Sequence, residues 1–288
     1  SLNDIGTDAS AWVAGTADVD SKLQTDVTAD NDALIIAWAG GIAVTDFEGK
    51  GGAIGAAGAS NKVDGKTKAW IGGGTVDSST AGVKVAATST PEIQALTLGG
   101  AGAENFALGG SVSVNEIDAT TEAWIAGAKV GAPGAVSVTA TDTADIRALA
   151  GAVAGATNKG AALGFSVARN VIGDTVAAHI DDATVTAASV EVNAKADAEI
   201  QVISAGGAGA SSQGGAVAGS ASDNEIRNTV KAYVGSDAVV TTTGDVAIMA
   251  EDDSVVKALS GNVAGAGKGA IGASLAYNVV DGTVQPYV

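Results

Sequence analysis

The chain has 288 residues, a formal net charge of −17 and no cysteine. Such a charge repels phosphate backbones and anionic lipid surfaces, which argues against binding to nucleic acid or to a membrane surface. The lack of cysteine excludes disulfides, thiolate metal sites and a cysteine nucleophile. Because 41 residues are glycine and only 3% are aromatic, any core must be built from Ala, Val and Ile around small residues.

An asparagine followed nine residues later by a ring recurs along the whole chain. The clearest copy runs from Asn61 to Trp70, and the asparagines lie 54 to 58 residues apart. The rings are Trp12, Trp70, Trp124, His179, Tyr233 and Tyr287. A fixed period of this size predicts one elongated repeat array over residues 1–288, with units starting near residues 3, 61, 115, 170, 224 and 278.

Each repeat contains four stretches in which side chains alternate like those of a strand. After the asparagine comes Thr121-x-Ala123-x-Ile125, whose period of two predicts one inward face and places the ring on the opposite face. The second stretch has the form Val-x-Val-x-Ala, as at Val136 to Ala140.

The third stretch begins at residues such as Ile146 and is apolar on both faces, which predicts burial on both sides. The residues on its second face are Trp38, Leu96, Leu149, Ile203 and Leu259. In the fourth stretch, as from Leu163 to Asn170, large and small residues alternate, and the small face would let a neighbouring backbone approach closely.

No segment has helical periodicity, so the predicted fold is an all-β repeat β-solenoid, also called a parallel β-helix. The alternative is a set of stacked β-hairpin repeats in which stretches three and four fold back on each other. In the solenoid we expect the repeated asparagines at structural corners, where the amide bonds backbone groups and the residue tolerates left-handed geometry. These corner residues are Asn61, Asn115, Asn170, Asn224 and Asn278.

The segment from Asn170 to Ala194 resembles repeats of giant bacterial surface adhesins. The similar families are the filamentous-haemagglutinin-like proteins and the leukotoxin-type filamentous adhesins. The likeness rests on the Ala-x-Ile…Val-x-Val-x-Ala spacing and on the Gly/Ala-rich return to Ser-Val-x-x-Asn, and it extends over essentially all of the chain. It implies secretion, a long β-helical shaft and a role in attachment or cell–cell contact. The families' secretion domain and anchoring signals are missing, so the expected localisation is inferred only from the resemblance. Because the sequence opens at the asparagine of one repeat and stops just after the sixth ring, we expect it to be a segment of a longer array.

The rings admit two interpretations. On an outer face they could form a ligand-stacking column for sugar rings, since aromatic side chains offer a flat face and a polar tip. The alternative is that they only cover the next layer of the fold. His179 is the only histidine, and because its equivalents are Trp or Tyr we expect a ring in a stack, not a general base.

Other motifs give no catalytic or metal site. The acidic clusters Asp30–Asp32, Asp181–Asp182 and Glu251–Asp253 could supply oxygen ligands to Ca²⁺, but they lack the spacing of a known loop and do not recur in every repeat. We interpret them as solvated corners. The pattern Gly267 to Gly272 is followed by a strand pattern and not by a helix, so it does not predict dinucleotide binding. The least regular connection, Val44 to Gly52, is where a grafted function would be sought.

The sequence therefore predicts a structural or adhesive repeat segment of a large secreted bacterial protein, located at the cell surface or outside the cell. It is not expected to be an enzyme or to bind a cofactor. The predicted partners are other copies or neighbouring repeats end to end, and cell-surface glycans, with no nucleic acid and no membrane insertion. The alternative is a carbohydrate-binding or polysaccharide-modifying β-helix enzyme.

Overall fold

The computed structural model describes residues 1–45 and 51–288, and within them the chain forms strands and no helix. The strands in chain order are β1 (Leu2–Ala14), β2 (Asp18–Ser21), β3 (Thr25–Asn31), β4 (Leu34–Val44), β5 (Gly52–Gly72), β6 (Thr75–Ser78), β7 (Val83–Ser89), β8 (Glu92–Ala103), β9 (Phe106–Ala126), β10 (Lys129–Gly131), β11 (Ala135–Ala156), β12 (Ala161–Ile172), β13 (Thr175–Asp181), β14 (Thr184–Ala187), β15 (Ser189–Ala210), β16 (Gly215–Ile226), β17 (Thr229–Val234), β18 (Val239–Thr242), β19 (Val246–Asp252), β20 (Val255–Gly265), β21 (Gly269–Val280) and β22 (Thr283–Tyr287).

These strands form three sheets, and each of the five complete repeats contributes to all three in turn. Sheet A contains β1, β5, β9, β12, β13, β16, β17, β21 and β22. Sheet B contains β2, β6, β10, β14 and β18, and sheet C contains β3, β4, β7, β8, β11, β15, β19 and β20. The chain passes from sheet A through sheet B to sheet C, and then enters sheet A again one layer further on.

Every strand pair in the described part of the chain is parallel and joins equivalent positions of successive repeats. Asn61 pairs with Asn115, for example, and Trp70 pairs with Trp124. Stretches three and four therefore pair with their own copies in neighbouring repeats and face each other across the interior. The hairpin alternative is wrong, because hydrogen-bonded hairpins would make these two stretches antiparallel neighbours.

The four predicted stretches merge into longer strands, and one element was not predicted. Strand β9 joins stretches four and one, and β11 joins stretches two and three. Sheet B was missed because its strands are only three or four residues long. Between sheets A and B the chain turns through a left-handed residue at equivalent positions of four repeats. These residues are Gly15, Gly73, Gly127 and Asp182, with φ of 74°, 83°, 61° and 44°.

The interior changes character across each repeat. In the part we call the broad half, the three sheets enclose a core of Val, Ile and Ala, with Ile71 and Val85 fully buried. A second cluster around Ile146 follows, and a third at the far tip contains only alanine, including Ala103 and Ala156. Only alanine separates sheets A and C in the third cluster, so the two sheets converge there.

In the remaining part, the thin half, sheets A and C lie almost backbone to backbone. A Cβ placed on Gly164 would lie 2.0 Å from the carbonyl oxygen of Gly207, and one on Gly99 would lie 1.8 Å from that of Gly110. Any larger side chain there would force the sheets apart. The close backbone approach expected from the small-residue face is confirmed.

The array is wide and short in this chain. Strand β11 has 22 residues. At about 3.3 Å per residue it extends roughly 70 Å across the axis, whereas each repeat adds only about 4.8 Å along the axis. A long shaft of this cross-section would thus require many more repeats or the stacking of copies.

Candidate functional surfaces

The repeated asparagines form a ladder inside the fold. Each side-chain amide donates a hydrogen bond to the amide oxygen of the next asparagine, over N–O distances of 2.7 to 2.8 Å. Asn115, Asn170 and Asn224 are completely buried. In a central member the amide donates one such bond and accepts another, which satisfies groups that would otherwise be costly to bury.

The expectation that these asparagines lie at corners is wrong. Asn61 and Asn115 lie within the long strands β5 and β9, with extended backbone on both sides. Asn170, Asn224 and Asn278 likewise lie within strands, in β12, β16 and β21. The side chain is retained at this position because an amide can donate to and accept from identical neighbours 4.8 Å apart, a pairing that needs no corner.

The six rings form one continuous stack on the outer face of sheet A. Neighbouring ring centroids are 4.7 to 6.0 Å apart, and the ring planes differ by 1° to 12°. The column runs in the order Trp12, Trp70, Trp124, His179, Tyr233 and Tyr287. The adjacent Ala69 and Ile71 point into the core, so the predicted outward direction of the ring is confirmed.

Charged groups flank the middle of this column. Lys68 Nζ lies 3.0 Å from Glu122 Oε2, and His179 Nε2 lies 3.5 Å from Glu122 Oε1. The hydrogen bond with His179, together with Lys68, holds the pKa of Glu122 below its usual value. On the other side His179 Nδ1 lies 2.7 Å from Asp181 Oδ2. Burial, followed by the charge of Asp181, raises the pKa of Tyr233.

Stacking of the rings on one another limits what the column can bind. Both faces of Trp70, Trp124, His179 and Tyr233 are covered by neighbouring rings, so a sugar could meet only their edges. The outer faces of Trp12 and Tyr287 are the ones left uncovered in this chain. Face-to-face stacking of a sugar is therefore not available at the four inner rings, and ligand binding at the column stays a prediction.

Two carboxyl groups lie buried between the first and second core clusters. Asp142 Oδ2 accepts a hydrogen bond from Thr121 Oγ1 at 3.0 Å, and Asp174 Oδ1 accepts one from the backbone nitrogen of Ala119 at 2.7 Å. Asp142 is 2% exposed and Asp174 1%. Burial, and then the charge of Asp142, raise the pKa of Asp174 well above its usual value. Burial also raises the pKa of Asp142.

The Oδ2 atom of Asp174 is buried without a hydrogen-bond donor. A proton on either carboxyl supplies the missing bond, so the pair is stable inside the fold when it holds one proton between its members. Sequence reasoning missed this pair because it does not repeat. The available signal was a charged residue, Asp142, at an inward position of a strand pattern.

The outer faces of the thin half are apolar and open to solvent. On sheet C, Trp38 is 79% exposed and Leu259 is 63% exposed, and Leu149 and Ile203 are exposed as well. The expectation that the third stretch is buried on both sides is wrong for this chain, because nothing in the described residues covers its outer face. On sheet A the outer face carries exposed residues of the same kind, among them Ile54, Val112, Phe165, Val167, Ile271 and Leu275.

The remaining motifs lie at the ends of strands. The three acidic clusters fall at or beside the ends of β3, β13 and β19, and Lys195 Nζ lies 2.9 Å from Asp253 Oδ2. Within the described ranges no group of three or more His, Asp or Glu side chains is arranged to hold a metal ion. In the Gly267 to Gly272 pattern, strand β21 starts at Gly269, as expected. The connection from Val44 to Gly52 includes residues 46–50, which lie outside the described residues.

Comparisons with known proteins found no matching family model, no matching curated protein and no matching solved structure. In residues 1–45 and 51–288 no helix has the length and apolar character needed to cross a membrane.

Proposed function

We propose that this chain is a segment of a parallel β-solenoid that serves as a rigid structural shaft or filament of a large secreted bacterial protein, in attachment or cell–cell contact. The observation that carries the proposal is the unbroken register of successive repeats. The asparagine ladder and the ring stack continue through all six copies without an interruption.

A shaft requires repeats that bind chiefly to their neighbours, because repeats can then be added or removed without altering the structure of the others. The paired strands meet this requirement: β9 pairs with β5 on one side and with β12 and β13 on the other. Each layer therefore supplies the template for the next one, as in other repeat proteins whose stability is close to a sum over neighbouring units.

The ladder also supports association of repeats end to end. Its bonds all run in one direction, from Asn3 towards Asn278. At one end Asn3 offers an acceptor oxygen, and at the other Asn278 offers a donor nitrogen, so the two ends are complementary. A following layer, from a longer chain or from a second copy, would continue the same ladder. Secretion and a location outside the cell rest on the resemblance to surface adhesins.

The enzyme alternative has less support from the geometry. Asp174, whose pKa is raised well above its usual value, is enclosed in the interior together with Asp142, where a polysaccharide has no access. General acid–base chemistry requires such groups within hydrogen-bond reach of the substrate.

Deletion of one whole repeat tests the proposal. Removal of residues 115–169 joins Val114 to Asn170, which takes the register position of Asn115. We expect this variant to fold with unchanged β-content by circular dichroism, and to lose one layer, about 4.8 Å, in small-angle scattering. The matched control removes residues 115–168, which shifts the later strand by one residue and exchanges its inner and outer faces.

Unfolding or aggregation of the in-register variant, or equal stability of the two variants, would contradict the shaft. Retention of the intact chain on immobilised polysaccharide, lost on replacement of Trp70 and Trp124 by alanine, would favour the carbohydrate-binding alternative instead.

A further inference from the structure

The rings stacked on sheet A share an electronic property as well as a flat shape. Three of the four tryptophans and two of the three tyrosines of the chain lie in this one column. None of the three phenylalanines occupies any of its six positions. Phenylalanine would stack and cover the sheet equally well, but indole and phenol are the rings that lose one electron readily. The column is therefore selected for rings that can be oxidised, whereas stacking alone would admit any ring.

The selection is confined to this column of the outer face. The column two residues before it, on the same face, contains a hydroxyl, both signs of charge, a methyl group and an amide. Its members, all register partners, are Ser10, Lys68, Glu122, Ala177, Lys231 and Gln285. The position on sheet A thus does not by itself require a ring.

The rings are close enough for an electron to pass from one to the next. Neighbouring centroids are 4.7 to 6.0 Å apart, and the planes differ by only 1° to 12°. Because electron tunnelling falls off exponentially with distance, overlapping rings at this separation are strongly coupled. His179 is harder to oxidise than indole or phenol, so it acts as a bridge between Trp124 on one face and Tyr233 on the other.

Oxidation of a tyrosine also requires a base for the phenolic proton, and a carboxylate lies beside Tyr233. Asp181 Oδ2 is 2.7 Å from His179 Nδ1, and Asp181 Oδ1 lies 1.9 Å from the point that a Cβ on Gly235 would occupy. Because position 235 is glycine, the carboxylate extends over the layer that contains Tyr233. Burial, and then the charge of Asp181, raise the pKa of Tyr233, so the phenol keeps its proton at neutral pH until it is oxidised.

We propose that the column performs intramolecular radical transfer, in which oxidation of its tryptophans passes along the stack to Tyr233 and the phenolic proton goes to Asp181. The co-reactants are one-electron oxidants, such as small inorganic radicals. At neutral pH a tyrosyl radical is more stable than an indolyl radical, so the transfer runs from the tryptophans to the tyrosines. The activity is separate from a mechanical role, because it depends only on the rings, their spacing and the base.

The transfer balances in two steps. First the oxidant takes an electron from an indole and is itself reduced, while the indole N–H proton goes to water and leaves a neutral indolyl radical. An electron then passes from Tyr233 through His179 to the radical on Trp124. The phenolic proton moves to Asp181, and the indole nitrogen regains a proton from water. The products are an intact tryptophan and a neutral tyrosyl radical.

Pulse radiolysis with the azide radical tests the proposal. At neutral pH this radical takes an electron from indole in preference to phenol and becomes azide. The double variant Trp38→Phe/Tyr277→Phe removes the tryptophan and the tyrosine that lie outside the column, both of them exposed, so every remaining indole and phenol belongs to the column. We expect the absorption of the indolyl radical to decay while that of the tyrosyl radical grows, at a rate independent of protein concentration.

Further substitutions in this background locate the path. Trp124→Phe keeps a flat ring in the stack but removes the indole next to His179, so the rapid growth of the tyrosyl signal should be lost. The matched control Trp70→Phe makes the same change one layer away and should retain that growth, because Trp124 still lies beside His179. Asp181→Asn removes the base and should slow the transfer. Circular dichroism and thermal melting check that each variant is folded.

The proposal is overturned if no tyrosyl radical forms from the indolyl radical, or if its rate of growth increases with protein concentration, as transfer between molecules would. Equal rates in Trp124→Phe and Trp70→Phe overturn it as well, since the electron would then not pass through the stack. An unchanged rate in Asp181→Asn has the same consequence, because the proton would not go to that carboxylate. Each of these results leaves the shaft intact, since a column of purely structural rings would still hold the layers together.

Discussion

Replacement of Asn170 by alanine probes the asparagine ladder at its centre. The change removes the acceptor of the bond from Asn115 and the donor of the bond to Asn224, both at full burial. An unsatisfied buried polar group costs about 1–3 kcal/mol. Since Asn115 Nδ2 keeps a second bond to Ser113 Oγ at 3.2 Å, one of the two losses is partly compensated. We therefore expect the free energy of unfolding to fall by about 2–4 kcal/mol in total.

The matched control is Asn278→Ala, at the last rung of the ladder. This residue is exposed and has one ladder bond, so its loss should cost only about 0.5–1 kcal/mol. Guanidinium denaturation followed by circular dichroism measures both values, with the slope of the transition checked for loss of cooperativity, which repeat arrays are prone to. A difference of less than about 0.5 kcal/mol between the two variants would refute the view that the internal amides stabilise the stack.

Three further outcomes follow from the other buried and packed groups. Since the folded-state pKa of Asp174 is raised, protonation of this carboxyl favours folding: its contribution to stability should be fully present in acid and should be lost as the pH rises from the usual value of an aspartate towards the raised one. Asp174→Asn, which copies the residue at the equivalent position Asn228, should remove that decline in denaturation curves taken over a pH series; an unchanged pH profile would contradict the assignment. Trp124→Ala breaks two stacked pairs and should cost about 1–3 kcal/mol beyond lost burial, with loss of near-ultraviolet circular dichroism from the stacked rings. Gly164→Ala should lower the free energy of unfolding by about 1–3 kcal/mol in chemical denaturation, because the sheets must separate. The control Gly155→Ala, with no atom near the new methyl group, should be neutral or slightly stabilising. Equal effects of the two substitutions would refute the close approach of the sheets.

The dimensions of the fold affect how a shaft could be built. About 54 residues are spent on each layer, and a layer adds only about 4.8 Å along the axis. The lateral extent of each layer is therefore the larger dimension, and it provides broad side faces.

Much of the fold could be predicted from the residues alone, because every layer follows the same pattern of inward and outward side chains. The constant distance between asparagine and ring placed Trp70 over Trp124, and the alternation around Ile125 determined which face points inward. These inferences succeed because parallel strands in register bring identical side chains together, and a one-residue slip would exchange the two faces.

What the residues could not reveal was which parts of the chain face each other across the interior. The sequence alone does not show whether the repeated asparagine lies at a corner or within a strand. The structure places it within a strand, at hydrogen-bond distance from the equivalent asparagines of the neighbouring repeats. The pairing of Asp142 with Asp174 joins two elements that no local pattern relates.

The sequence by itself determined the period, the long strands of sheets A and C and the inward face of most of them, since these depend on local alternation and on repetition. Only the tertiary structure decided that sheets A and C converge onto glycine and alanine in the thin half, and that Trp38 and Leu259 are left on the outside. The physical reason is that an apolar residue is equally suited to an interior and to an interface. Its position in space, and not its chemistry, shows whether the chain covers it or leaves it exposed.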